Sequence, residues 1–207
     1  MISHRIAAIA DYLSPVAAGW RDVSGEQVPL MPAPLAMQPT EYVRKSWERK
    51  PYGQIRALGV ASVHDGRACA IRLSWSGVAA AGSDFPDAVA LALPVRGSPA
   101  LALMGAADAP IHILRWQSNR EGLRSLLATG IGSSRPGPEI ECGASAQADG
   151  STWQIVVTRV LGAAEDAAPL LAGNRTRIGF AVWQGGNDER AGIKAFSIDW
   201  QDLILDA

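Results

Sequence analysis

The sequence predicts a mainly β protein, an antiparallel β-sandwich with one or two short helices in its connections. Three observations support this fold class: many short segments of alternating polarity, turn residues that bound most of them, and few stretches with helical spacing. At 207 residues, with 48% hydrophobic and 19% charged residues, the chain is typical of globular proteins. We therefore expect a single domain over 1–207, with an irregular lead-in over 1–50.

The elements follow in order along the chain. Five prolines in 1–50 exclude a long helix there, so edge strands or extended coil are expected. Segments 54–63 and 68–75 alternate around the turn 64–67, which predicts a hairpin, and Asp149-Gly150 predicts a second one. Further strands are expected at 88–94, 99–104, 110–116, 139–147, 152–160, 177–183 and 194–205.

Two helices are predicted in the connections. The first covers 120–128, where Leu123, Leu126 and Leu127 have helical spacing and Gly130 follows. The second is one or two turns within 165–171.

Charge and composition exclude several function classes. A net charge of -1 gives no field that would concentrate the protein on nucleic acid, and no apolar run is long enough for a membrane span. No signal peptide is visible near the N-terminus. Cys69 and Cys142 belong to no metal-binding spacing, so we expect buried thiols, and a disulfide between them stays open.

Motifs for independent catalysis are missing from the sequence. There is no nucleophile elbow, P-loop, dinucleotide fingerprint or zinc-protease motif, and His4, His64 and His112 are scattered. Structural roles are expected for His64, in a turn, and His112, in a strand. The tryptophans predict either core packing or the walls of a pocket for a sugar or a porphyrin, and they are Trp20, Trp47, Trp75, Trp116, Trp153, Trp183 and Trp200.

Lys194 is one of three lysines in a chain whose other basic residues are arginines. It follows the glycine-rich run 185–192, at the start of the last predicted strand. A neutral amine can bind a metal, whereas a guanidinium stays protonated. Within the run, Glu189 and Arg190 are expected to hold the loop through an ion pair, and Gly185, Gly186 and Gly192 to allow tight turns.

Two segments carry a resemblance to a known family. Residues 180–197 resemble, without a gap, the C-terminal signature of the ethylbenzene dehydrogenase γ-subunit family. The residues of 93–97, 102–105 and 109–110, followed by Trp116, look like the family's Met-Gly segment and the strand after it. These γ-subunits are the haem b subunits of type II molybdenum enzymes in the dimethyl sulfoxide reductase superfamily.

The resemblance implies a haem site. In this family one methionine and one lysine hold the haem iron, and the matching residues here are Met104 and Lys194. Two protein ligands favour electron transfer over bond-making at the iron. The sequence contains no C-x-x-C-H motif, so the haem would be non-covalent b-type haem.

The resemblance also implies a complex. A molybdenum-containing α-subunit with a molybdenum bis-guanine dinucleotide cofactor would perform the chemistry, hydroxylation of a hydrocarbon or steroid. An iron-sulfur β-subunit would pass electrons to this chain, which would relay them to or from an external partner such as a cytochrome c. We expect a periplasmic location, reached with an exported partner, and the alternative is the cytoplasm. The alternative function is a carbohydrate-binding sandwich without haem, in which Lys194 would be incidental.

Overall fold

The computed structural model describes residues 1–78 and 83–207. Strands dominate this part of the chain. They are β1 (Ile2–Arg5), β2 (Glu26–Pro29), β3 (Met31–Pro32), β4 (Ala57–His64), β5 (Ala68–Ser76), β6 (Ala88–Pro94), β7 (Ile111–Gln117), β8 (Leu123–Ala128), β9 (Arg135–Pro136), β10 (Cys142–Asp149), β11 (Thr152–Val160), β12 (Gly162–Ala164), β13 (Ala167–Leu170), β14 (Arg175–Trp183), β15 (Ala195–Phe196) and β16 (Gln201–Leu205). Short 3-10 turns cover Ile9–Tyr12, Ala18–Asp22, Leu35–Met37, Leu101–Leu103 and Gly185–Asn187.

The fold is a β-sandwich, as the sequence predicts, and strand β14 links its two layers. The first half of β14 pairs with β16, and from Gly179 onward the strand pairs with β6. One layer follows the order β10-β11-β5-β4-β1-β16, and the other follows β6-β7-β8-β9. Most neighbouring strands are antiparallel, and the exception is β1, which is parallel to both β4 and β16.

The main core fills the space between the layers. Ile71, Leu73 and Ile155 come from one layer, and Leu91 and Leu114 come from the other; each is buried. A second apolar cluster lies on the outer face of the β6–β8 layer and includes Ala90, Ile113 and Phe196. The outer face of the β6–β8 layer is therefore covered by other parts of the chain, and the site described below lies on this face.

Both hairpin predictions are confirmed. Strands β4 and β5 pair in register from Gly59↔Ser74 to His64↔Cys69, and β10 pairs with β11 from Cys142↔Arg159 to Asp149↔Thr152. The predicted strand at 88–94 coincides with β6. His64 ends β4 instead of lying in the turn, and His112 lies in β7 as expected.

Both predicted helices are wrong. Residues 120–128 contain β8, because Leu123–Ala128 pairs with residues 111–116 of β7 and tertiary pairing overrides the helical spacing of the leucines. Residues 165–171 contain β13 and the turn that joins it to β12, in which Asp166 has φ 59.

The α-helix of the described residues lies in the lead-in instead. Helix α1 spans Glu41–Trp47, Thr40 caps it by accepting a hydrogen bond from the Val43 amide at 3.3 Å, and Lys45 pairs with Glu41 at 2.8 Å. No helix in residues 1–78 and 83–207 is long and apolar enough to cross a bilayer.

Two other strand predictions change. Residues 99–104 form the 3-10 turn Leu101–Leu103, and 194–205 divides into β15 and β16. Cys69 is buried and Cys142 partly buried, and both are free thiols. Arg159 of β11 pairs with Cys142 on one side and with Cys69 on the other, so it separates the two cysteines. The possible disulfide between them is therefore not formed.

Candidate functional site

A cavity of about 660 Å³ lies on the outer face of the β6–β8 layer. This volume falls in the range of small-molecule and cofactor pockets. Its floor is the sheet, its walls are α1, the loop 185–194 and the loop 131–134, and its lining is mainly apolar.

Small side chains on β6 create the space. Ala90 and Ala92 point into the cavity. The residues that alternate with them, Val89, Leu91 and Leu93, belong to the main core. Because side chains alternate across a strand, this pattern puts bulk on one face and room on the other. The alternation of alanine with large residues over 88–93 was the sequence signal for this cavity, and it went unused in our prediction.

Lys194 and Met104, ninety positions apart in the sequence, meet across this cavity. The Lys194 Nζ atom lies 3.8 Å from the Met104 Sδ atom. The sequence could not give this distance, since it depends on how β7, β14 and their connections pack. Both side chains are partly buried.

Met104 is held in an unusual backbone conformation. It ends the 3-10 turn Leu101–Leu103 with φ 60 and ψ 34, in the left-handed region that non-glycine residues rarely occupy. Its amide donates to the Leu101 carbonyl at 3.0 Å, and its carbonyl accepts from the Gly130 amide at 2.9 Å. These two bonds fix the backbone from which the thioether enters the cavity.

Lys194 enters from the start of β15. The Lys194 carbonyl accepts from the Ala33 amide at 2.9 Å, which ties this residue to the lead-in segment. The Lys194 Nζ atom lies 5.2 Å from the centre of the Trp183 ring, and the Arg115 guanidinium lies 4.8 Å from the same centre. Burial lowers the pKa of the Lys194 amine to about 8, with a smaller contribution from Arg115. Such a group loses its proton more readily than an exposed lysine.

The loop that delivers Lys194 is built around a buried carboxylate. Glu189 accepts from the Gly53 amide at 2.7 Å, the Gln184 amide at 3.0 Å and the Asn187 Nδ2 atom at 3.1 Å. Arg190 instead stacks over the Phe85 ring at 4.2 Å. The expected ion pair of Glu189 is therefore replaced, in the described part of the chain, by hydrogen bonds to backbone and amide donors.

Gly185 and Gly192 lie in turns, as expected, and they also allow close approach by other parts of the chain. A Cβ on Gly185 would lie 2.1 Å from the Phe85 carbonyl oxygen, and one on Gly192 would lie 2.0 Å from Gln38 Oε1. Neither residue has a positive φ. Gln38, which is buried, donates to the Gly192 carbonyl at 3.0 Å, so the lead-in packs directly on the loop.

Backbone strain is concentrated around the cavity. Four non-glycine residues of the described chain have positive φ, and three of them line the cavity: Met104, Asp188 and Ala191. Such conformations cost free energy and persist where surrounding structure fixes them, often at functional sites. This clustering is independent support for a site here.

Several residues of the site were not predicted from the sequence. Helix α1, in a segment that was expected to be irregular, supplies Val43, and β7 supplies Arg115. Asp87 is also buried, and it anchors the loop by accepting from the Gly185 amide at 2.7 Å and from Trp153 Nε1 at 2.8 Å. Of the seven tryptophans, Trp47 and Trp183 line the cavity, so both roles expected for tryptophan occur.

The residues present fit a haem. Lys194 offers a nitrogen donor and Met104 a sulfur donor, and the two atoms lie 3.8 Å apart. Both are donor types that bind transition metals, so the two side chains could hold one metal ion. The described residues contain no cluster of three or more His, Cys, Asp or Glu side chains that could hold a metal. The sulfur and nitrogen donors, in a mainly apolar cavity of cofactor size, suit a metal that brings its own ring of ligands.

Fold and site together define a β-sandwich with a cofactor-sized pocket on the outer face of one sheet. Three curated proteins are similar in sequence. Chlorate reductase subunit gamma of Ideonella dechloratans is 30% identical over 211 residues, covering 96% of this chain and 83% of that protein. A respiratory nitrate reductase heme subunit of Haloferax mediterranei is 27% identical, covering 90% and 66%. Dimethylsulfide dehydrogenase subunit gamma of Rhodovulum sulfidophilum is 28% identical, covering 56% and 46%.

This chain belongs to the ethylbenzene dehydrogenase γ-subunit family, the haem-containing γ-subunits of type II molybdenum enzymes of the dimethyl sulfoxide reductase superfamily. The resemblance carried by 180–197 is thereby confirmed. No family model matches the chain.

Carbohydrate-binding proteins are among the solved structures with a similar fold. A family 9 carbohydrate-binding module from Caldicellulosiruptor kristjanssonii in complex with glucose has a TM-score of 0.57 at 10% identity, covering 100% of this chain and 95% of that one. A carbohydrate-binding protein from Bacteroides uniformis has a TM-score of 0.58 at 9% identity, covering 100% and 98%. At such identities the likeness concerns the fold alone.

Proposed function

We propose that this chain is a haem b electron-transfer subunit in which Met104 and Lys194 bind the haem iron as its two axial ligands. The observation that carries the proposal is the 3.8 Å approach of Lys194 Nζ to Met104 Sδ inside the cavity. Both residues fall on the family's ligand positions, which adds a second and independent reason.

The chemistry and surroundings of Lys194 and Met104 suit both residues to bind a metal. Desolvation favours the neutral amine of Lys194, which is the form that can donate a lone pair. Met104 supplies a soft thioether, a ligand that raises the reduction potential of haem iron in cytochromes. The apolar floor of Ala90, Ala92 and Phe180 would exclude water from a bound ring. Bound haem supplies a one-electron couple, and two protein ligands leave its iron without an open position for substrate.

The relatives support a place in a larger enzyme. Two of them are named gamma subunits, one of a chlorate reductase and one of a dimethylsulfide dehydrogenase. We infer that this chain works with a molybdenum-containing α-subunit and an iron-sulfur β-subunit, and exchanges electrons with an external carrier such as a cytochrome c. Hydroxylation of a hydrocarbon or steroid by the complex, and a periplasmic location, stay predictions.

Titration of the purified chain with haem b tests the proposal. We expect a saturable complex with a sharp Soret band and six-coordinate low-spin spectra in both oxidation states. Carbon monoxide should bind the reduced complex slowly, since it must first displace a protein ligand. A chain that takes up no haem but retains a sugar would favour the carbohydrate-binding alternative.

A further inference from the structure

The cavity is basic although the chain is nearly neutral. Its lining includes one acidic side chain, Asp188, and four basic ones, which are Lys50, Arg115, Arg190 and Lys194. The whole chain has a net charge of -1. An apolar cavity with this excess of positive charge suits a ligand that has an apolar body and an anionic edge.

Two of the four cations, Lys50 and Arg190, are exposed residues at the rim of the cavity. Lys50 precedes Pro51, whose carbonyl accepts from the Asn187 Nδ2 atom at 2.9 Å. Arg190 follows Glu189, which accepts from the Gly53 amide at 2.7 Å. The segments that carry Lys50 and Arg190 are therefore hydrogen-bonded to each other, and both side chains are exposed.

Neither rim cation forms an ion pair with a carboxylate of the described residues. Among the ion pairs of residues 1–78 and 83–207, none involves Lys50 or Arg190. Each cation instead lies over an aromatic ring, Lys50 at 5.7 Å from Trp47 and Arg190 at 4.2 Å from Phe85. The Arg190 Nη1 atom also donates to the Asp188 carbonyl at 3.1 Å. These contacts orient the two cations and leave their charge available.

We propose that Lys50 and Arg190 bind the two propionate carboxylates of the haem, and so fix which edge of the ring faces solvent. This inference rests on the proposed haem-binding function and adds its orientation. Lysine offers a point charge and arginine a planar fork, and both recognise carboxylates through charge-assisted hydrogen bonds. The other two cations, Lys194 and Arg115, are not assigned to the propionates, because both lie over the Trp183 ring.

The test compares iron protoporphyrin IX with its dimethyl ester, which has the same ring and no charged carboxylates. Both are titrated into the unmodified 207-residue chain, the double variant Lys50→Met, Arg190→Met and the control Lys45→Met. Lys45 is an exposed lysine on α1 whose ammonium pairs with Glu41, and it does not line the cavity. Affinity is read from the Soret band, and ligation from the low-spin spectrum.

We expect the unmodified chain to bind the free acid about tenfold more tightly than the ester, from two partly exposed ion pairs. The double variant should lose that preference, bind the ester as the unmodified chain does, and keep the low-spin spectrum. Lys45→Met should change nothing.

The assignment of Lys50 and Arg190 and the proposed haem function would be contradicted by different results. If the unmodified chain binds the acid and the ester equally well, or if the double variant retains the whole preference for the acid, the assignment of Lys50 and Arg190 is overturned. If the unmodified chain gives no low-spin spectrum with either porphyrin, the proposed haem function itself fails. The ester comparison needs no variant, so a folding defect cannot hide the outcome.

Discussion

The backbone of Met104 makes an unusual prediction at the scale of one residue. At φ 60 a Cβ atom is strained, whereas glycine adopts this conformation freely. Met104→Gly should therefore leave the haem-free chain about 1 kcal/mol more stable than Met104→Ala, the reverse of the usual order in a strand or helix. Urea unfolding of the two variants measures the difference, and greater stability of the alanine variant would contradict the left-handed conformation.

His112 predicts a pH dependence of stability. It is fully buried, its Nε2 atom lies 3.0 Å from Ser125 Oγ, and burial lowers its pKa to about 4 from 6.5. As the pH falls below 6.5 the unfolded chain takes up this proton first, so stability is lost from pH 6.5 down through pH 4.

Replacement of His112 by glutamine isolates this effect from the other titrating groups. We expect the stability advantage of the unmodified chain over His112→Gln to shrink by about 2 kcal/mol between pH 7 and pH 4.5. Urea unfolding at both pH values measures it. An advantage that is constant with pH would show that His112 is not held neutral.

At the scale of elements, the two faces of β6 should respond differently to mutation. Ala92→Leu places a large side chain in the cavity and should abolish haem binding while the chain still folds. Leu91→Ala, on the core face, should cost about 2 to 5 kcal/mol of stability and leave the low-spin spectrum unchanged. Normal haem binding by Ala92→Leu would place the ligand elsewhere.

The loop before Lys194 depends on Glu189. In Glu189→Gln an amide NH₂ replaces one carboxylate oxygen and faces a donor, so we expect a loss of about 1 to 3 kcal/mol. Haem affinity should fall as well, because the loop positions the amine. Asp199→Asn, an exposed change outside the loop, is the matched control. Equal stability of the Glu189 and Asp199 variants would contradict the anchoring role.

Strands were predicted more successfully than helices, for a physical reason. Strand β6 carries a period of two and turn residues at its ends, and both signals are local. Strand β8 has leucines at helical spacing, and its pairing with β7 decides the outcome only in the folded chain. Helix α1 is short and lies between prolines. Its stability therefore depends on the packing of its buried residue, Trp47, against the rest of the fold.

At the scale of the whole molecule, haem should stabilise the fold. A ligand that binds only the folded state, present at 100 times its dissociation constant, adds about 2.7 kcal/mol. Addition of haem should therefore raise the melting temperature of the unmodified chain and not that of Ala92→Leu. Scanning calorimetry with and without haem measures both. An equal rise in both chains would indicate binding outside the cavity.

Only part of the overall architecture could be predicted from the sequence. The sandwich followed from local patterns, and Met104 and Lys194 followed from a family resemblance. The transfer of β14 from one layer to the other at Gly179 did not, because it is a long-range pairing. Carbohydrate-binding proteins share the sandwich, so the function of this chain depends on its cavity and not on its fold.

The spectra of Met104→Ala and Lys194→Ala after haem addition test the central claim most directly. The account predicts that the unmodified chain gives a six-coordinate low-spin haem, and that each variant loses this state and binds carbon monoxide rapidly when reduced. Six-coordinate low-spin spectra that are unchanged in both variants would contradict the assignment of Met104 and Lys194 as the ligands.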